Sequence, residues 1–300
     1  MRAEERAGTV AILVSALAYG FLSVLIKLAL EAGARPLPLV AWRFAIGTAV
    51  VWLLLWLRRR PVPPRRAHLG LAGLGVLYAF NSLLFTLALQ WVPAATALLV
   101  FYTYPVVVVL LAVLFLGERI TARGGAAMAL AVAGCGLTAG VGAAGGDPRG
   151  IALVLLSMSG LSLYIVSGRR FLARLPGHGS AAIILTGTTA VTLTVATVTQ
   201  GLDLGGGPRA AWLVVLLAIF CTALPITLFV IGLKRVDAGK AAIYSTIEPV
   251  VTVVAAGLLL DERISTLQYM GGLLTLSGVV WLRLSRPLPR TQEPSPLEAP

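Results

Sequence analysis

Apolar runs of about 20 residues follow one another along the whole chain, and they constrain its fold more than any other feature. The hydrocarbon core of a bilayer is about 30 Å thick, so a helix that crosses it needs roughly 20 apolar residues. We predict spans at 9–30, 38–57, 69–90, 94–116, 122–141, 150–168, 180–200, 210–233, 240–260 and 266–284. The connectors are short and often carry Pro or Gly, which leaves no room for a separate soluble domain. The sequence therefore predicts an all-α membrane protein with ten transmembrane helices.

The composition excludes an ordinary soluble domain. The chain is 58% hydrophobic and 12% charged, with a mean hydropathy of +0.92, whereas soluble domains are about 45–50% apolar. A net charge of +12 would suggest a nucleic-acid partner in a soluble protein. Here the Lys and Arg residues lie mostly in the connectors, where they orient a chain in the bilayer. We therefore expect membrane lipids, and no nucleic acid, as partners.

The distribution of positive charge predicts the orientation. Eighteen of the 24 Lys and Arg residues fall in segments that are cytoplasmic if the N-terminus is cytoplasmic, and four fall in the opposite connectors. Because cytoplasmic loops carry the Lys and Arg excess, both termini are predicted to be cytoplasmic. Residues 285–300 are rich in Pro and Glu and are predicted to be a disordered tail.

The chain contains an internal repeat. Shifted by 144 positions, residues 85–121 align without a gap on residues 229–265. Shared apolar residues arise easily between two membrane helices, but a mid-helix proline and a helix-terminal Glu-Arg-Ile in one register indicate duplication. The matched residues are Pro105 and Pro249, Glu118 and Glu262, Arg119 and Arg263, and Ile120 and Ile264.

The repeat predicts how the membrane domain is built. A shift of 142 positions also aligns the first span with the sixth and places Lys27 on Arg169. We expect residues 1–141 and 150–284 to be two five-helix repeats, spans 1–5 and 6–10, of one membrane domain. Because each half has an odd number of spans, the second half enters the membrane in the opposite sense. Inverted repeats of this kind are common in secondary transporters, whose substrate sites lie near the midplane.

Several stretches resemble a known family. "PLVAWRF", "LLFTLALQWVPAATALLVFYTYPVVVVLLAVLFLGERIT" and "IEPVVTVVAAGLLLDERIS" are similar to the repeated signatures of the ten-helix EamA-type branch of the drug/metabolite transporter superfamily. The likeness runs from Gly8 to Leu284 and is diffuse, so it specifies the family better than the substrate. It implies an inner-membrane carrier, with helices 1, 3, 4, 6, 8 and 9 lining the cavity. Many such carriers export amino acids, related metabolites or drugs. The first half has Tyr104 where the second has Glu248, and only the latter matches the family's Glu-Pro pattern.

An acid and a proline stand side by side inside the ninth span. Pro249 removes a backbone hydrogen bond and predicts a kink, with the freed carbonyl lining a wet cavity or finding another partner. Glu248 costs about 2.5–3.5 kcal/mol if it is ionised at the helix centre, so it should face protein or water. It is either a proton-coupling or cation-binding acid or a residue that stabilises the kink, for example through Tyr244.

Two cations lie within the predicted spans. Lys27 lies near the outer end of the first span, where snorkelling to the headgroups is the ordinary explanation. Arg43 lies five residues into the second span and can likewise snorkel or pair with a phosphate or a carboxylate. Either residue can instead hold the carboxylate of an amino-acid-like substrate.

A set of aromatic and amide residues provides further site candidates. Such residues are commonly interface anchors or packing residues. If they face inward, they give an aromatic, hydrogen-bonding pocket suited to a zwitterion with an apolar side chain. The candidates are Trp42, Tyr78, Asn81, Tyr102, Tyr104, Tyr164 and Tyr244, with Pro105 as the second predicted kink.

The two Glu-Arg-Ile motifs lie at helix ends on opposite predicted faces of the membrane. Glu118 and Glu262 lie beside Arg119 and Arg263 and are expected to be loop ion pairs or caps. The alternative is that they latch alternate gates of a carrier.

Other functional classes lack the residues that they need. His68 and His178, the two histidines, lie in connectors, and there is no zinc-protease helix, nucleophile elbow or Walker A motif. Cys135 and Cys221 are interpreted as buried free thiols. We therefore expect no enzyme, metal or cofactor, and a carrier fits two broken-helix halves better than a channel does. The predicted function is alternating-access export of a small organic metabolite or drug, with protons as the candidate coupling ion, across a bacterial inner membrane. The alternative is a translocase of lipid headgroups or lipid-linked substrates.

Overall fold

The computed structural model describes residues 3–116, 121–139, 147–172, 175–233, 235, 244 and 247–284. These residues are mostly helical and contain no β-strand; one isolated bridge joins Ala34 and Gly205. The all-α prediction is confirmed for this part of the chain. The predicted tail, 285–300, lies outside the described residues.

Thirteen α-helices are present in the described residues. The first half contains α1 Ala3–Gly20, α2 Leu22–Glu31, α3 Pro36–Leu57, α4 His68–Ala88, α5 Ala94–Phe101, α6 Tyr104–Leu116 and α7 Ala122–Ala139, with a 3₁₀ turn at Arg65–Ala67. The second half contains α8 Pro148–Leu172, α9 Gly177–Thr199, α10 Gly207–Ala218, α11 Leu224–Leu233, α12 Ile247–Leu259 and α13 Thr266–Leu284. A π-helical turn, Ile219–Ala223, joins α10 to α11.

Seven stretches of the described chain are helical, long and apolar enough to cross a membrane. They are Arg6–Glu31, Pro36–Leu57, Arg65–Ala88, Ala94–Leu111, Pro148–Gly168, Gly177–Thr199 and Gly207–Phe229. They correspond to predicted spans 1–4 and 6–8. The other three predicted spans contain α7, α12 and α13, and the apolar stretches of α7 and α12 are shorter. The chain is therefore a multi-pass membrane protein, and its total of ten spans stays a prediction.

The contact between α7 and α13 shows how small residues bring membrane helices together. A Cβ added to Gly134 would lie 2.4 Å from the backbone nitrogen of Thr275, and one added to Gly278 would lie 2.5 Å from that of Ala131. Only glycine permits such an approach, as is usual where membrane helices pack closely. Gly134 and Gly278 are separated by 144 positions, and so are Ala131 and Thr275. Each helix therefore presents its glycine to the equivalent residue of the other, as expected for two copies of one unit.

Other contacts between helices of the two halves also occur in equivalent pairs. α4 of the third predicted span packs on α8 of the sixth. The equivalent pair, α11 of the eighth span and α1 of the first, also packs together. α5 and α6 contact α8, and α12 contacts α1 and α2. α5 also contacts α12 directly, so helices of both halves surround one interior.

Candidate functional site

Three of the predicted spans are interrupted within their length in the described chain. In lipid, an interruption leaves backbone groups without partners, so it is tolerated where the backbone is buried in protein or lines a wet cavity. Discontinuous helices of this kind commonly build the substrate sites of transporters. The interruptions lie at Phe21, at Tyr102 and Thr103, and at Ile219–Ala223.

The break in the first span lies directly against the first turn of α12. A Cβ added to Gly20 would lie 2.7 Å from Val251 Cβ and 3.0 Å from the carbonyl oxygen of Glu248. The Thr252 hydroxyl donates a hydrogen bond to the Gly20 carbonyl, which is close to the end of α1. Gly20 therefore lets α1 approach the turn that carries Glu248.

Both repeat-related prolines lie in the first turn of a helix. Pro105 is the second residue of α6, and Pro249 is the third of α12. The backbone N–H groups of the first turn have no intrahelical acceptor. Proline, which lacks this N–H, therefore loses no helical hydrogen bond there. Before Pro105 the chain leaves α-helical geometry at Tyr102 and Thr103, and the Thr103 hydroxyl donates to the Val100 carbonyl at 2.7 Å. Residues 245–246 lie outside the described chain, so a matching break before Pro249 stays a prediction.

The π-helical turn has its cause in Pro225. The proline ring clashes with the carbonyl four residues earlier, that of Cys221, and a wider turn relieves the clash. The Thr222 hydroxyl then donates to the Leu217 carbonyl, five residues back, at 3.1 Å. The same hydroxyl oxygen accepts a hydrogen bond from Arg43 Nε at 2.9 Å. The π turn therefore positions Thr222 as a neutral partner for a cation.

Glu248 lies inside the membrane domain and receives a hydrogen bond from the first half. The Tyr102 hydroxyl donates to Glu248 Oε2 at 2.8 Å. Tyr19 and Tyr78 lie within electrostatic range of Glu248, and both also lie within range of Arg43. The break in span four thus brings its tyrosine to the acid at the start of α12.

Arg43 is buried, with 2% of its surface exposed. Its guanidinium lies 4.7 Å from the centre of the Phe44 ring and donates to Thr222. It forms no ion pair with any carboxylate among the described residues. Snorkelling therefore does not explain this residue, because its charge stays in the protein interior.

Aromatic rings connect these polar groups. The ring centres of Phe44 and Tyr78 are 5.8 Å apart, and those of Tyr78 and Tyr164 are 5.5 Å apart. Tyr104 contacts Tyr102, with 6.3 Å between ring centres. We name the resulting group the central cluster, consisting of Tyr19, Arg43, Tyr78, Tyr102, Tyr164 and Glu248.

Three other candidate site residues are not part of the central cluster, and each contacts a neighbouring part of the protein. Trp42 is 38% exposed, and its indole donates to the Leu202 carbonyl at 2.9 Å. Asn81 accepts a hydrogen bond from the Ser157 hydroxyl at 2.8 Å, which ties α4 to α8. Tyr244 packs against Ile12.

Lys27 and Glu262 form an ion pair, with 3.0 Å between Lys27 Nζ and Glu262 Oε1. Glu262 also accepts hydrogen bonds from the backbone N–H groups of Ala94 at 2.8 Å and Ala95 at 3.2 Å, at the start of α5. A carboxylate is favourable there because a helix N-terminus carries partial positive charge. Lys27 donates further to the Val92 carbonyl at 3.3 Å. We name this group the latch, since it ties α2, the start of α5 and the loop after α12.

Glu262 of the second Glu-Arg-Ile motif forms both an ion pair and a helix cap, with partners in the first half of the chain. Arg263 is exposed, and Glu262 pairs with Lys27 from the other half of the chain instead. Asp261 has a φ of 52°, which turns the chain after α12. Glu118 and Arg119 lie outside the described residues, so their predicted gating role stays a prediction.

Sequence reasoning missed Tyr19 and Thr222. Two signals for them were present: Gly20 permits a close contact beside Tyr19, and Pro225 interrupts an otherwise regular span next to Thr222. Within the described residues, no three His, Cys, Asp or Glu side chains lie together as metal ligands. The chemistry of the site is therefore that of one acid, one cation and several phenols.

Comparison with known proteins identifies the family of the chain. The model of the EamA-like transporter family matches the chain twice, at residues 6–140 and 148–284. An uncharacterized transporter of Bacillus subtilis, YcbK, is 26% identical over 90% of this chain and 93% of its own length. An uncharacterized transporter of Archaeoglobus fulgidus is 26% identical over 81% of this chain and 87% of its own length.

The fold is also found among solved structures. One crystal structure, at 24% sequence identity, superposes with a TM-score of 0.65 over 93% of this chain and 97% of its own. That likeness concerns the fold alone. The two family matches together cover nearly all of the sequence, one in each half. The chain belongs to the EamA-like transporter family.

Proposed function

We propose that the protein is a secondary active transporter that moves a small organic solute bearing a carboxylate through the central cluster. The buried guanidinium of Arg43, which forms no ion pair with a carboxylate of the described residues, carries this proposal. An isolated charge in an apolar interior is costly, and intramembrane cations commonly mark substrate pathways. A guanidinium binds a carboxylate through two parallel hydrogen bonds, and its Nε–H already holds Thr222. The remaining N–H groups are suited to a substrate.

The rings around Arg43 favour an apolar or aromatic side chain on the substrate. Phe44, Tyr78 and Tyr164 form a connected aromatic surface beside the cation. Such surfaces bind apolar groups by burial and ring contacts. Amino acids with large apolar side chains, and drugs with a similar acid, combine both features.

Glu248 is the proposed coupling acid. It is half-buried, and the tyrosines within range of it, Tyr19, Tyr78 and Tyr102, are neutral near pH 7 in their ordinary state. A carboxyl group in the membrane interior can take up a proton from one side and release it to the other. Export would then be driven by proton entry, across a bacterial inner membrane.

Alternating access would proceed by movement of one half against the other. The latch closes the side that the positive-inside rule assigns to the exterior, because Lys27, the start of α5 and Glu262 all lie at that end. In this proposal the chain has ten spans in two inverted halves, with both termini in the cytoplasm.

Counterflow in proteoliposomes tests the function. Vesicles preloaded with unlabelled solute would be supplied with radiolabelled amino acids, sugars or cationic drugs. We expect saturable exchange of leucine or phenylalanine and little exchange of sugars. Leucinamide is the matched control, since it differs from leucine at the carboxylate.

Three outcomes distinguish the alternatives. Exchange of leucine but not leucinamide supports a carboxylate site. Equal exchange of leucine and leucinamide would show that Arg43 does not bind the substrate carboxylate. Movement of a fluorescent phospholipid headgroup across the bilayer without exchange of any solute would instead support a lipid translocase.

A further inference from the structure

The end of α3 carries three consecutive arginines in a strained turn. Arg60 N–H donates to the Leu55 carbonyl at 3.1 Å, and Arg59 N–H donates to the Trp56 carbonyl at 3.2 Å. These two bonds define a Schellman motif, which usually has glycine where Arg59 stands. Arg59 has a φ of 47°, a conformation that costs a residue with a Cβ roughly 1–2 kcal/mol. The turn is therefore held by its surroundings and is a candidate functional feature.

A cavity of about 50 Å³ lies beside this turn. Arg58 and Arg60, on either side of the strained residue, both line it, and His178 at the start of α9 adds a third basic side chain. The rest of the wall is apolar apart from one threonine. The lining residues are Val51, Leu54, Leu55, Arg58, Arg60, His178, Ala181, Ile226, Thr227 and Ile231.

The loop after the arginines is fixed against α9. A Cβ added to Gly179 would lie 2.5 Å from the Pro61 carbonyl oxygen and 2.7 Å from Pro63 Cδ. Glycine thus lets the proline-rich loop rest directly on the first turns of α9. Since α3, α9 and α11 all contribute to the wall, the cavity is a built feature at the junction of three helices.

This cavity is separate from the central cluster. Arg58 follows Arg43 by 15 residues on α3, which corresponds to about 22 Å along a helix. None of the residues that line it belongs to the central cluster. By the positive-inside rule, the arginine-rich loop from Arg58 to Arg66 is predicted to face the cytoplasm.

We propose that the cavity binds the headgroup of an anionic phospholipid from the cytoplasmic leaflet. The cavity has room for roughly three to five water molecules. It is therefore large enough for a phosphate group but too small for acyl chains. The chains would lie outside, along the exposed Leu53, Trp56 and Leu57 of α3. Tryptophan at this position is typical of the membrane interface.

The mixture of charge and apolar surface favours a lipid over a free anion. Arg58 and Arg60 are exposed at the cavity mouth, where salt would screen a small soluble anion. A lipid adds apolar contact and is held at the surface at high local concentration. Basic pockets between membrane helices on the cytoplasmic side bind anionic headgroups in this way. The inference depends on the membrane embedding of the chain and is independent of the transported substrate.

Native mass spectrometry of the purified full-length protein tests the proposal. The probes are dioleoyl phosphatidylglycerol and dioleoyl phosphatidylcholine, which share acyl chains and differ in headgroup charge. The variant Arg58→Gln/Arg60→Gln removes both cavity arginines. Its matched control, Arg65→Gln/Arg66→Gln, removes two exposed arginines of the same loop that do not line the cavity.

We expect the wild type to retain phosphatidylglycerol in preference to phosphatidylcholine. The cavity variant should lose about five-fold in affinity per arginine, or roughly 25-fold in total. The control should lose much less. Equal losses in the two variants, or equal binding of the two lipids, would overturn the proposal. Complete displacement of the lipid by millimolar inorganic phosphate would also overturn it and assign the cavity to a free anion. Unchanged thermal unfolding of both variants would confirm that each is folded.

Discussion

The latch and the central cluster each contain one cation and one carboxylate, but among the described residues the two are joined in an ion pair only in the latch. Lys27 and Glu262 lie 3.0 Å apart, and Glu262 also binds the start of α5. In the central cluster Arg43 donates a hydrogen bond to Thr222, and Glu248 accepts one from Tyr102. Both groups join the two halves of the chain.

The difference indicates what each group is for. A cation and a carboxylate that form an ion pair with each other stabilise one arrangement of helices and have little capacity left to bind a ligand. A cation and an acid that are held apart keep the capacity to bind an anion and a proton. Substitutions should therefore affect transport most at the central cluster and stability most at the latch.

The largest effect is expected for Arg43→Gln. Removal of one partner from a buried, charge-assisted contact costs about 2–5 kcal/mol, which corresponds to a loss of at least about 30-fold in apparent substrate affinity. Counterflow of labelled leucine at increasing concentrations measures it. Arg43→Lys should recover part of the affinity, because it keeps the charge but loses the planar fork.

Arg35→Gln is the matched control for Arg43, since Arg35 is exposed at the start of the same helix. It should exchange leucine like the wild type. If Arg43→Gln elutes as a folded protein and keeps wild-type affinity, the guanidinium has only a structural role.

Glu248→Gln should separate binding from coupling. Glutamine still accepts the hydrogen bond from Tyr102 but cannot carry a proton, so counterflow should persist while pH-driven accumulation is lost. Transport in vesicles with and without an imposed pH gradient measures this. The control is Glu31→Gln, at an exposed acid at the end of α2. Intact, pH-dependent accumulation in Glu248→Gln would leave the residue as a stabiliser of the turn before Pro249.

Substitutions in the latch should change stability more than affinity. Glu262→Ala removes both the ion pair and two hydrogen bonds at a helix start, and should cost about 2 kcal/mol. Lys27→Met should cost under about 1 kcal/mol, because the lysine is partly exposed and leaves the helix cap intact. Thermal unfolding in detergent ranks the two. A charge swap of both residues should not restore stability, since lysine cannot accept the N–H groups of Ala94 and Ala95; full recovery would show that the ion pair alone matters.

Much of the fold could be predicted from the sequence because the bilayer imposes a simple length rule. Apolar runs indicated the all-α class and a multi-pass membrane protein, and the resemblance of several stretches indicated the family. Pro105 lies directly after Tyr102, Thr103 and Tyr104, where α5 gives way to α6, and a proline acts locally on its own helix. The long-range contact of Lys27 with Glu262 could not be predicted, since Arg263 is nearer in sequence and residue spacing does not encode which helices meet.

The site was only partly predictable for a related reason. Glu248, Arg43 and Tyr102 are unusual residues for a membrane span, so their type alone drew attention to them. Tyr19 and Thr222 are ordinary residues whose importance comes from the backbone beside them, at Gly20 and in the π turn. Burial of Arg43 also depends on neighbouring helices, so the sequence left snorkelling open.

The smallest effect on transport is expected for Tyr102→Phe, which tests whether Tyr102 acts through Glu248. The variant keeps the ring but removes the hydrogen bond to Glu248, a loss of about 1 kcal/mol, or about five-fold in pH-driven transport. Tyr164→Phe is the control, since it keeps the ring contact with Tyr78 and does not touch Glu248 in the described structure. In the Glu248→Gln background, Tyr102→Phe should have no further effect on coupling, because the step that it assists is already lost. Additive losses in the double variant would show instead that Tyr102 acts on the substrate directly. The central cluster would then contain a third functional group besides the binding cation, Arg43, and the coupling acid, Glu248.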